Sequence, residues 1–134
     1  MKVIKKDNKR IAIKIDFESV NDGLTFFSDD NDYLQVGAWK YERGKKLLAH
    51  NHNCVDRKVD RTQEFIFVLH GSLKAYLYDD KDELIEEVVL NSKEGLILLS
   101  GGHGYEISSD DTVVFEVKNG PYVGAQRDRR RLEV

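Results

Sequence analysis

An alternation of apolar and polar residues with a period of two constrains this sequence more than any other feature. In Arg10–Phe17, Ile11, Ile13 and Ile15 alternate with Ala12, Lys14 and Asp16. In Val113–Lys118, Val113, Phe115 and Val117 alternate with Val114, Glu116 and Lys118. Successive side chains of an extended chain point to opposite faces, so the pattern marks strands with one buried face. Further strands are expected at Leu34–Tyr41, Lys46–His52, Glu64–Leu69, Leu73–Tyr78, Glu86–Leu90 and Gly95–Leu99. Phe65–Leu69 and Leu96–Leu99 are apolar at consecutive positions, as in strands covered on both faces. Polar or glycine-containing turns separate these runs, among them Glu42-Arg43-Gly44, His70-Gly71-Ser72 and Gly101-Gly102. No segment longer than two helical turns carries a 3.6-residue stripe. Many short strands at even spacing predict an all-β sandwich or barrel.

The chain has 134 residues, enough for one domain with a real core and no staples. We read it as a single domain over residues 1–134, with its core at about 34–118. A net charge of -3 gives no overall basic field to hold a nucleic-acid backbone or an anionic membrane. Cys54 is the only cysteine, so no internal disulfide forms. With no apolar signal core and no spanning stretch, a cytoplasmic location is the default expectation.

The chemistry-bearing residues concentrate in Gly44–His52. His50 and His52 are two apart, so on a strand both imidazoles project from one face. Such a pair can bind a divalent cation, or one ring can serve as an acid–base group. The alternative is two edge-strand histidines without a role. Cys54 continues the same parity. Glu64 heads the apolar strand that follows and shares its face with Ile66 and Val68. A carboxylate on that face needs either water or a partner, because an unpaired buried charge is costly.

These residues resemble the first motif of the cupin superfamily: a glycine, five residues, His-x-His, a spacer, Glu, six residues and a glycine. Gly44, His50, His52, Glu64 and Gly71 match it, with a long spacer at Asn53–Gln63. The second motif is matched only loosely, from Gly95. Its histidine is either displaced to His103 or replaced by Glu106, and Asp110 stands in for its asparagine. The segment Glu116–Tyr122 is similar to the tail of small cupin-like proteins of bacterial surface-polysaccharide biosynthesis.

The resemblance implies an antiparallel jelly-roll barrel with almost no helix. It implies a metal-capable site of His50, His52, Glu64 and His103, holding zinc, manganese, iron or nickel, with Glu106 or Cys54 as substitutes for His103. It also implies a sugar or nucleotide-sugar ligand, isomerase- or epimerase-type chemistry, and a homodimer. A metal-free version would use His52 or His103, with Tyr105, as acid and base. A non-catalytic sugar-binding module is the alternative.

Three other features have plainer readings. Arg57, Lys58 and Arg61 could hold a phosphate or carboxylate, but Asp56 and Asp60 interleave with them as in a neutral solvated loop. Trp39, Tyr41, Tyr76 and Tyr78 could stack on a sugar, although aromatic residues at strand spacing commonly pack. The four arginines of Arg127–Arg131 read as a frayed end or a salt-bridged edge.

Overall fold

The computed structural model describes residues 1–134. Ten strands form in chain order: β1 (Lys2–Lys6), β2 (Lys9–Asp16), β3 (Gly23–Phe26), β4 (Gly37–Lys40), β5 (Glu64–His70), β6 (Ser72–Tyr78), β7 (Leu84–Asn91), β8 (Glu94–Leu98), β9 (Gly102–Ile107) and β10 (Val113–Lys118). Helix is confined to a 3-10 turn at Phe17–Ser19 and to α1 (Ala125–Asp128). No helix is long and apolar enough to cross a membrane.

All pairings are antiparallel. They make a five-stranded sheet ordered β1-β2-β8-β5-β10, a three-stranded sheet ordered β7-β6-β9, and the hairpin β3-β4. The first two sheets face each other as a sandwich. Ile66 and Val68 of β5, Leu96 and Leu98 of β8, and Ala12 of β2 pack on Leu73, Ala75 and Leu77 of β6 and on Val88 and Leu90 of β7. The all-β expectation therefore holds. No strand pairing joins the two sheets, and β10 and β9 each keep one unpaired edge, so the hydrogen bonding closes no barrel.

The other face of the five-stranded sheet is also covered. Ile13, Ile15, Ile97 and Leu99 form a second buried cluster beneath Phe17, Phe27, Val36 and Phe65. The Phe17 ring meets Phe27, Phe65 and Phe67 edge-on, with centroids 5.7, 5.9 and 5.5 Å away. Edge-to-face contact is a favoured aromatic geometry. Gly95 sits beneath these rings, where a Cβ would come within 2.9 Å of both Phe65 and Phe17. The consecutive apolar runs at β5 and β8 thus mark strands with no solvent side, as expected.

Three differences from the sequence reading have physical causes. First, Lys46–His52 is not a strand, and no regular structure forms from Lys45 to Gln63. Leu48, His50 and His52 keep their spacing but find no neighbouring strand, and all three are exposed. Second, the apolar face of β10 points outward. Val114 packs against the sandwich core, while Val113, Phe115 and Val117 keep 45, 58 and 53% of their surface. Register decides this: Val114, Glu116 and Lys118 pair with Val68, Ile66 and Glu64, which face inward. Third, β1, β3 and β9 were not expected. β1 turns into β2 through Asp7 and Asn8, both at positive φ, and such a two-residue turn matches the twist of paired strands. The Glu83–Glu87 stretch, which could be read as helical, lies almost wholly in β7.

The C-terminal tail returns across one end of the sandwich. Asn119 accepts from the Gln63 amide and donates to the Arg61 carbonyl. Thr62 donates to Asp128, and Arg130 grips Asp82 with two bonds of 2.8 and 2.7 Å. The arginine-rich end is thus salt-bridged at Arg130.

Leu96 is fully buried between the two larger sheets. Leu96→Ala should cost about 2–5 kcal/mol through lost transfer energy and a residual cavity. Urea unfolding will measure it. Far-ultraviolet circular dichroism of the wild type should show a strand-dominated spectrum.

Candidate functional site

The inner faces of β5, β9 and β10 meet at one end of the sandwich, and the polar residues there are drawn together by register. Glu64 starts the inward set Glu64, Ile66 and Val68 on β5. Lys118 is its cross-strand partner on β10. From the other sheet, His103, Tyr105 and Ile107 pair with Leu77, Ala75 and Leu73, so they lie on the inner side of β9, at an open rim where Tyr105 keeps 38% and Ile107 60% of its surface. Gly101 enters β9 at φ 75°, and a Cβ there would collide with the Tyr78 carbonyl. That tight approach sets the register that turns His103 inward.

Glu64 is the hub. Its Oε2 lies 3.0 Å from His103 Nε2 and its Oε1 lies 2.9 Å from Lys118 Nζ. Lys118 also reaches Glu116 at 3.0 Å. The Glu64 side chain is only 9% exposed, whereas His103 keeps 29%. Burial pushes the Glu64 carboxyl up, but the bonds from His103 and Lys118 outweigh it and hold its pKa at about 2. The same bond from Glu64 raises Lys118. Burial, followed by the charges of Glu64 and Glu116, pushes the Tyr105 phenol up, so it stays protonated and able to donate. The His103 and Tyr105 ring centroids are 5.4 Å apart.

This arrangement offers one group able to accept a proton and one able to donate. A carboxylate on Nε2 favours the tautomer with its proton there, leaving the Nδ1 lone pair to accept one. Tyr105, two residues on and on the same face, carries a protonated hydroxyl able to donate.

The expected site residues divide. Glu64, His103 and Tyr105 come together. Glu106 is on the opposite face of β9, where Tyr76 donates to it at 2.6 Å. His50 and His52 stand in the exposed 45–63 segment, with ring centroids 5.0 Å apart and edge-to-face. They are near one another but not on a strand face turned into the sandwich. Cys54 is exposed in the same segment. No three His, Cys, Asp or Glu side chains are close enough together to hold one metal ion. The four expected ligands do not form one donor set here: two are in that segment, and Glu64 and His103 are bonded to each other, with Glu64 also held by Lys118.

Sequence reasoning missed Lys118 and Glu116, which complete the cluster. Their signal was the parity shared with Val114, hidden because the opposite face of β10 is the more apolar one. Trp39 and Tyr41 are exposed rather than packed, whereas Tyr76 and Tyr78 lie half-buried on the outer face of the three-stranded sheet. Compared with known protein families, curated proteins and solved structures, the chain matches none.

The Glu64 carboxyl is lowered on folding, so its contribution to stability is present above its ordinary value of 4.5 and lost as pH falls towards 2. Glu64→Gln should therefore destabilise the protein by about 1–3 kcal/mol at pH 7, by removing a charge-assisted hydrogen bond. The gap from wild type should shrink steadily between pH 4.5 and pH 2. Urea unfolding of both proteins across that range will measure it. A gap that stays constant with pH would mean that the Glu64 charge contributes nothing.

Proposed function

We propose that this protein is a small cupin-like enzyme in which His103 and Tyr105, oriented by Glu64, move protons on a sugar or nucleotide-sugar. The observation that carries the reading is the Glu64–His103 bond between two sheets, with a protonated phenol on the same face. The reaction is isomerase- or epimerase-type. His103 Nδ1 takes a proton from the carbon beside a carbonyl, and Tyr105 gives its proton to the carbonyl oxygen. The resulting enediol is then reprotonated at carbon, and the base and the acid recover their starting states. General acid–base groups of this kind are typically worth 10²–10⁴-fold. The sugar class and the jelly-roll relationship rest on the motif Gly44, His50, His52, Glu64 and Gly71, together with the two facing antiparallel sheets.

Turnover should appear with a nucleotide-linked sugar bearing a carbonyl, as deuterium uptake from heavy water at the adjacent carbon. His103→Asn should lower kcat about 10²–10⁴-fold, and Tyr105→Phe should lower it with little change in KM. Uptake that survives His103→Asn would refute the assignment.

One observation favours a second reading, that of a non-catalytic sugar-binding module. Both Glu64 oxygens are already engaged, one by His103 and one by Lys118, so the network is satisfied without a substrate. Saturable sugar binding by calorimetry, without deuterium uptake, selects this reading. A divalent ion rests on the motif alone. Zinc or manganese retained after purification, and lost in His52→Ala, would support it.

A homodimer is supported by the exposed stripe Val113, Phe115 and Val117, an apolar face of the kind that monomers seldom leave open. Light scattering should give a dimer mass for the wild type and a monomer mass for Phe115→Asp. A monomeric wild type would overturn this assignment.

A further inference from the structure

Away from Glu64 and His103, a second group of polar side chains surrounds a cavity of about 180 Å³. Lys9, Arg10, Asp32, Arg61, Gln63 and Ser100 line it, and Leu99 is its single apolar wall. Gln63 immediately precedes Glu64 in the extended chain, so the two side chains leave opposite faces of the sheet. The cavity is therefore separate from the proposed acid–base site.

The hydrogen-bonding capacity of its lining is lopsided. The acceptors are used. Asp32 takes both arms of the Arg10 guanidinium, at 2.9 and 2.7 Å, and the Asp29 amide at 2.8 Å. Gln63 Oε1 accepts from the Tyr33 and Leu34 amides at 2.8 and 3.3 Å. Ser100 donates to the Arg10 carbonyl.

Donors remain. Gln63 is only 4% exposed, yet its Nε2 makes one long contact, 3.4 Å to the Leu99 carbonyl, which leaves its second N–H unspent. Arg61 forms no ion pair and rests over the Tyr33 ring, 5.8 Å from its centroid. Lys9 pairs only with Asp80, outside the lining. The lining thus carries three cations against one carboxylate, and that carboxylate is consumed by Arg10. Asp29 and Asp60 lie nearby, but Asp29 also pairs with Arg10, and Asp60 accepts from the Tyr33 hydroxyl.

A buried amide that uses only one of its two N–H groups is under-satisfied, and a free guanidinium fork matches planar or tetrahedral oxyanions. We propose that this cavity binds a small oxyanion, a phosphate or carboxylate group, held by Arg61, Lys9 and the spare N–H of Gln63.

The test is a titration of isotope-labelled protein with inorganic phosphate and, separately, malonate, followed by amide resonances. Saturable shifts should appear at Arg61, Gln63 and Ser100. The tighter-binding probe identifies the preferred group, phosphate or carboxylate. Arg61→Gln should weaken binding at least about tenfold, the equivalent of one charge-assisted hydrogen bond. Arg61→Lys keeps the charge without the fork and should fall between, which also guards against a misfolded glutamine variant. His103→Asn should bind the probe as wild type does, which separates this site from the proposed enzyme site. Shifts that never saturate, that chloride reproduces, or that Arg61→Gln leaves unchanged would overturn the proposal.

Discussion

Burial of both faces of β5 and β8 is the condition on which the rest of this structure depends. Each face needs its own cover. The three-stranded sheet supplies one through Leu73, Ala75 and Leu77. Phe17, Phe27 and Val36 supply the other. At roughly 25 cal/mol per Å² of apolar surface removed from water, these two layers form the main favourable term. The same register that buries Ile66 and Val68 carries Glu64 to the end of the inner face, where it is largely shut off from water. A carboxylate in that position must be compensated, and His103 and Lys118 reach it from two different sheets. The candidate chemistry is thus a by-product of how the core solves its own electrostatic problem.

The cluster is also a junction between elements far apart in the chain. Glu64 lies on β5, His103 on β9 and Lys118 on β10. None of these contacts is local, so each depends on sheet order and pairing. The C-terminal tail spans the same end, from Thr62 beside β5 to Asp82 after β6. Two polar fastenings therefore close a gap that no strand bridges.

The strands were legible wherever a period of two coincided with burial, as in β2, or where both faces were covered, as in β5 and β8. Lys46–His52 carried the same period and failed, because an alternating pattern states which face would be buried but supplies no partner. β10 was recognised as a strand, yet its inward face was misjudged. Pairing with β5 turned Glu116 and Lys118 inward and left Phe115 outside. β9 went unread because its glycines mask its period, although Gly101 and Gly102 initiate the strand that carries His103. Glu64, His103 and Tyr105 were singled out one by one in the sequence, and that they stand together could be seen only in the register. Gln63 and Arg61 looked like spacer residues. Their surroundings come from the Asp32–Leu34 turn, about thirty residues earlier, and from Arg10 on β2, which no local pattern reveals.

The free edge of β10 has a consequence of its own. An unpaired strand is a template on which another chain can zip itself, and folded proteins commonly guard such edges with bulges and inward-turned charges. β10 has both guards. Its register slips between Val113 and Val114, and Glu116 and Lys118 stand as a part-exposed charged pair on its inner side. Any ribbon that tried to lengthen the sheet here would have to accommodate those charges. The outer side of the same strand has no such protection, since Val113, Phe115 and Val117 lie open. The edge itself is thus guarded against strand-by-strand growth, while the flank beside it stays uncovered. One lysine both anchors the candidate site and stands sentry at the rim.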